Sequence, residues 1–251
     1  MQTTTLTLTL IASLFSLAAA TGEPAAADPA PVFTNPTVLT NPYAPFQEGT
    51  VYVSRGRESG QRILLVTTHR SERRVFLHQG VPVETVLIEE REFANGGLVE
   101  VSENYLAQDD LGNVRFFGEI SREFEDGVET GVEADSWLVG GASQPSDPAG
   151  IYNSAEPTMY MPAELKVGDI FVQQTIPGMA EILEVNAVGV TVRVPAGKFK
   201  LAVRLTETNE SEPGENERVW VAPGLGVVKK SFKRSRLRLE ATSLVEAAPG
   251  T

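Results

Sequence analysis

The chain has 251 residues, 41% of them apolar and 22% charged, enough for a real hydrophobic core under an ordinary soluble surface. Its net charge of −12 argues against a nucleic-acid partner, and 7% aromatic residues argues against a stacked carbohydrate platform. Cysteine is absent, which removes disulfides, thiolate metal sites, thiol nucleophiles and cysteine lipid anchors.

The first element is a leader. Leu6–Ala20 (LTLTLIASLFSLAAA) is an apolar run closed by small residues, with Ala18-Ala19-Ala20 as an A-x-A cleavage site, although no Lys or Arg precedes it. It is short for a bilayer span, which needs about 20 apolar residues. Residues 1–20 are therefore expected to be a signal peptide, the mature product periplasmic or extracellular and not membrane-spanning. Residues 21–45, rich in Ala and Pro, read as a linker, residues 46–246 as a single β-rich domain, and residues 247–251 as a disordered tail.

From Thr50 onward, alternating apolar and polar residues are cut by short turns, which predicts strands at Thr50–Gly56, Gln61–His69, Arg73–Gln79, Val81–Phe93, Gly97–Ala107, Asn113–Glu119 and Gly131–Val139. Gly140–Ser154 is the longest loop, and short helical turns are expected within it and near Pro162–Leu165. Strands resume at Ile170–Ile176, Ala180–Asn186 and Val190–Thr206, then at Arg218–Ala222 and Leu237–Leu244. In Val190–Thr206 a hairpin turns at Pro195-Ala196-Gly197, and Phe199, Leu201, Val203 and Leu205 are expected on one face. The fold class is thus all-β, an antiparallel meander curled into a barrel, half-barrel or two-sheet sandwich.

Charge is uneven. Glu84–Asp135 carries fifteen acids against Arg91, Arg115 and Arg122, whereas Lys229–Arg238 (KKSFKRSRLR) holds six basic residues and no acid. The basic segment reads either as a contact for anionic lipid head groups or a polyanion, or as a cross-strand partner of the acidic strands. The second reading is preferred, since Arg236, Arg238 and Glu240 alternate with Leu237, Leu239 and Ala241 as the outer face of an ordinary strand.

Several segments together resemble a family of uncharacterised bacterial secreted proteins. They are NPYAPFQEGTVYV (Asn41–Val53), ENYLAQDDLGNVRFFGE (Glu103–Glu119), MPAELKVGD (Met161–Asp169), VPAGKF (Val194–Phe199) and APGLGVVKK (Ala222–Lys230). The chain departs from the pattern at Gln47-Glu48, where Pro would precede Gly49, and at Val51-Tyr52-Val53, where a Trp is usual. The resemblance implies export and a β-rich domain, and brings no activity with it.

No catalytic motif is present. G-x-S-x-G, H-E-x-x-H and phosphate-loop patterns are missing, and Gly140-Gly141-Ala142-Ser143 has no helix after it. His69 and His78, expected on neighbouring strands and near the surface, lack a third ligand. Asp109, Asp110, Asn113 and Glu119 are the candidate oxygen ligands for calcium, the cofactor considered, against the plainer reading of a β-turn. Asn209-Glu210-Ser211 matches a glycosylation sequon but also fits an exposed turn. Tyr105, Phe116, Phe117, Phe171, Phe199 and Trp220 serve either a filled core or a lined cavity. The function expected is a binding module for a lipid, a small apolar molecule or an envelope protein. The alternatives are a structural or interaction protein without a small ligand, and a secreted hydrolase using paired carboxylates.

Overall fold

A computed structural model describes residues 30–210, 216–232 and 235–243. The expected signal peptide, the first part of the linker, the tail and Ser211 of the sequon lie outside the described residues. No helix occurs among them; turns and bends occupy both places where helical turns were expected.

The fold is all-β, as the alternation predicts. Strands β1 (Val51–Glu58), β2 (Gln61–His78), β3 (Val81–Ala94), β4 (Gly97–Gln108) and β5 (Val114–Glu125) run as an antiparallel meander. The short strands β6 (Val128–Val132), β7 (Trp137–Val139) and β9 (Thr158–Met161) all pair with β5, and β8 (Tyr152–Ser154) runs parallel to β7. A second meander follows, of β10 (Ile170–Ile176), β11 (Met179–Val194), β12 (Gly197–Asn209), β13 (Asn216–Ala222), β14 (Gly226–Phe232) and β15 (Ser235–Thr242). Pairing of β15 with β1 joins the two meanders into one sheet. At its other edge β10 meets β9 through side chains: Thr158 Oγ1 donates to Gln173 O, and Gln173 Nε2 to Tyr160 O. The result is a nearly closed barrel.

Bulges account for most differences from the predicted strands. Gln61–His69 and Arg73–Gln79 are one strand, because Ser71-Glu72 is extruded between Arg70 and Arg73 without ending the pairing with β3. Arg73 Nη1 caps the extrusion, donating to the carbonyls of Arg70, Ser71 and Glu72 at 2.9–3.0 Å. Leu201 departs from the expected face. Its φ of +57° marks a bulge, it is 65% exposed, and Ala202 takes the buried position instead. The predicted strand Gly131–Val139 is split, since Ser136 Oγ accepts from Ser121 N and bends the chain between β6 and β7. Strands β8, β9 and β14 lie where the sequence showed only loop and turn chemistry.

The segment read as linker is packed from Pro31 on. Phe33 meets His78 and Phe117 edge-on, Leu39 and Ala44 are buried, and Thr34 binds the Asp110 carboxylate through both N–H and Oγ1. Asn41 latches this strap. Its Nδ2 donates to the carbonyls of Gly112, Met161 and Pro162, while its Oδ1 accepts from Tyr43 N. The main apolar core lies where the strap covers the Leu106–Phe117–Trp137 end of the barrel.

Among the described residues, the basic segment other than Lys230 does not face the acidic strands. Outward residues align in two cross-strand ranks: Arg204, Trp220, Lys229, Arg238 and Arg55, then Thr206, Arg218, Ser231, Arg236 and Arg57. Arg238 stands opposite Arg55, and Arg236 opposite Arg57, so the preferred sequence reading is corrected: like faces like along the β1–β15 seam. Lys230, pointing inward, is the exception.

Candidate binding lumen

Side chains on the inner face of the barrel line a cavity of about 440 Å³. Its walls follow from period-two alternation: each strand sends every second residue inward. One cross-strand rank runs Tyr52, Thr67, Glu90, Ser102 and Ser121; its neighbour runs His69, Ile88, Asn104 and Glu119. Across the lumen, Leu205, Val219, Lys230 and Leu237 form one rank, with Glu207 opposite Glu217 in the next. One part of the wall is therefore apolar (Ile88, Leu106, Phe116, Leu183, Leu205 and Val219) and the other is carboxylate-rich.

Lys230 is the cation at the centre of that acidic wall. Its Nζ lies 3.3 Å from Glu217 and 3.5 Å from Glu207. Glu207, then Glu217, Glu181 and Glu90, hold its pKa well above the usual lysine value against the cost of burial. Carboxyls outnumber cations in the lining even with Arg57, Lys229 and Arg236 included, and the excess shows in their protonation. Burial, reinforced by Glu100, Glu58 and Glu90, pushes Glu92 up to about 7. Burial and the adjacent Glu207 push Glu181 up to about 8. Glu119 is driven well above the carboxylate range by burial and by Asp135 and Glu181. A hydrogen bond between the Glu181 and Glu207 side chains adds to the rise of Glu181. Hydroxyls organise the rest: Thr67 Oγ1 donates to Glu90 at 2.7 Å, and Ser121 and Ser102 both donate to Glu100.

An ion pair pins the long loop to the sheet on the face opposite the lumen. Arg74, 4% exposed, forks onto Asp147 at 2.7 and 2.8 Å and lies over the rings of Phe76 and Tyr105. Asp147 also accepts from Ser143 N and Gln144 N; although burial opposes it, these partners hold the carboxyl down at about 2. Ser143, the residue of the Gly140–Ser143 segment, accepts from Arg74 Nη2. It is part of this anchor.

The four calcium candidates are not brought together. Asp109 accepts from Leu111 N, Asn113 N, Asn113 Nδ2 and Arg115 Nε, and Asp110 is engaged by Thr34. Asn113 Oδ1 accepts from Ala163 N, and Glu119 stands further along β5 on the lumen wall. A cation at the turn would have to displace these N–H donors. His69 and His78 share β2 and are both buried, correcting the expected placement on neighbouring strands near the surface. His69 stacks on Phe46 at 4.7 Å, and burial lowers its pKa to about 4.

The acidic lining was missed in the sequence because its members come from different strands. Each was one of many acids, and only the register shows which point inward. The usable signal was alternation itself: Glu90, Glu92 and Ile88 share a parity, as do Glu217, Val219 and Val221.

No family model and no curated protein matches the sequence. Among solved structures the chain is similar to a candidate exported protein of Bacteroides fragilis with a YmcC-like fold, at 16% identity and a TM-score of 0.44, over 80% of this chain and 98% of that one. It is also similar to a candidate lipoprotein of Parabacteroides distasonis, at 12% identity and a TM-score of 0.40, over 80% and 98% of the two chains.

Proposed function

We propose that this is an exported binding module that holds a small amphiphilic molecule in its barrel lumen. The observation that carries the reading is the two-sided lining of the 440 Å³ cavity, apolar on one part and carboxylate-rich on the other. Pockets of this size bury most of a small ligand, with an apolar wall for affinity and a few polar groups for orientation. The apolar body of the ligand rests against the more accessible apolar side chains of the lining, Leu65, Ile88 and Tyr160 among them, and its polar end donates hydrogen bonds to the carboxyls around Lys230. An amine suits that end best, because the lining carries more carboxyls than cations.

Native mass spectrometry of the protein purified gently from its host tests this. The expected result is a discrete extra mass that organic extraction removes. The reading fails if the protein is apo and the emptied protein takes up neither dodecylamine nor lauric acid.

A further inference from the structure

We propose that the arginine-rich outer wall formed by β12–β15 and β1 docks the barrel onto an anionic membrane surface. The wall is made of the residues of opposite parity on the strands that carry the lumen, and three of its members, Arg57, Lys229 and Arg236, also border the cavity.

Three observations carry it. First, the charge is concentrated against the trend of the molecule: the chain is at −12, yet Arg55, Arg57, Arg218, Lys229, Arg236 and Arg238 fall on one outer face. Among the described residues the ion pair on this cluster is Arg55 with Glu240 at 3.0 Å. Second, the arrangement costs the fold stability. Like charges directly opposite on paired strands repel, and here Arg55 faces Arg238, Arg57 faces both Arg236 and Arg62, and Arg193 faces Lys198. Lys229 has its pKa lowered, first by burial and then by Arg236, Arg238 and Arg218, so the positive potential is felt on the surface. A face held in this state is complementary to a broad negative surface.

Third, an apolar side chain stands near the arginines. Leu201 lies three residues before Arg204 on β12, turned outward by its left-handed backbone and 65% exposed. Arginines at head-group level with an apolar side chain reaching below them is the layout of an interfacial contact. A polynucleotide fits less well. Single-strand binding needs open aromatic faces for stacking, and the Trp220 ring is covered by Lys229 Nζ at 4.0 Å.

Flotation of the full chain with vesicles tests the proposal, using phosphatidylcholine alone and phosphatidylcholine with 30 mol% phosphatidylglycerol at ~50 and ~300 mM salt, where screening differs strongly. Binding is expected to the anionic vesicles alone, and to weaken at high salt. In the triple variant Arg218→Ser, Arg236→Ser, Arg238→Ser binding should fall on the order of 100-fold, at roughly five-fold per arginine. Its melting temperature should be equal or higher, because repulsion has been relieved; this shows that lost binding is not lost folding. Lys166→Ser, at an exposed lysine outside this wall, should bind as the parent does. No binding to anionic vesicles at low salt, equal binding to neutral ones, or undiminished binding by the triple variant would overturn the proposal. Tighter capture by duplex DNA than by anionic vesicles would assign the wall to nucleic acid instead.

Discussion

Lys230 sits where a lysine is expensive, inside a barrel among carboxyls, and its worth depends on the charge of its neighbours. Removing one member of a buried ion pair leaves the other charge uncompensated, which typically costs about 3–5 kcal/mol. Lumen water screens this site, because the Lys230 side chain is 34% exposed. Lys230→Met should therefore destabilise by about 2 kcal/mol at pH 7.5, after discounting for screening. At lower pH the cost should shrink, tested at pH 5, since burial raises the Glu217 pKa and so favours its neutral form as the pH falls. Urea denaturation at the two pH values measures the difference, and an equal loss at both would mean that lost packing dominates.

Among the elements, β5 organises one half of the barrel, pairing with β4 on one side and with β6, β7 and β9 on the other. That is feasible because Gly118, at φ +142°, lets β7 come close: a Cβ there would sit 2.4 Å from Trp137 O and 2.8 Å from Leu138 Cα. Gly118→Ala combines backbone strain with overpacking, and should cost about 3 kcal/mol. Displacement of β7 would shift the emission of the buried Trp137, so tryptophan fluorescence reads the effect directly. An unshifted spectrum with parental stability would show that β7 docks without this close approach. Strands of this kind were legible where turn residues bound them on both sides, as in β3, β4 and β10, even though β4 and β10 each carry a one-residue bulge. They were misjudged where a bulge itself looks like a turn, because extruded residues such as Ser71-Glu72 have the composition of one and only their cross-strand pairing shows that the strand continues. Leu201 failed for the same reason: a single left-handed residue reverses parity, and no residue type announces it. The site was less legible than the fold, since inward and outward acids are chemically identical in sequence.

For the molecule as a whole, the overcrowded lumen predicts an unusual response to pH. A carboxyl whose pKa is raised on folding stabilises the fold most below its unfolded value, near 4.5, and loses that contribution as pH rises through the folded value. For Glu92 and Glu181 the folded values are about 7 and 8. His69, lowered to about 4 by burial, acts in the opposite sense, but only below its unfolded value of 6.5. Asp147, held at about 2, is ionised in both states well before neutrality. Between pH 6.5 and 8 the lumen carboxyls thus act alone among these groups, and stability should fall by about 1–2 kcal/mol for Glu181. At roughly 2–4 °C per kcal/mol for a domain of this size, calorimetry should record a lower melting temperature at pH 8 than at pH 6.5. Glu181→Gln should flatten the slope; a flat parental curve would contradict a lumen short of positive charge.

The seam between β1 and β15 has a further consequence, in time. The first strand of the barrel finds its second neighbour only in the last described strand, so Gly56 waits for Leu237 across nearly the whole domain. Contacts so distant in the chain repay their loop-closure entropy late, which slows folding. Until β15 arrives, the inward acids and outward arginines share one open, solvated sheet. Closing the ring is the event that gives this protein an inside.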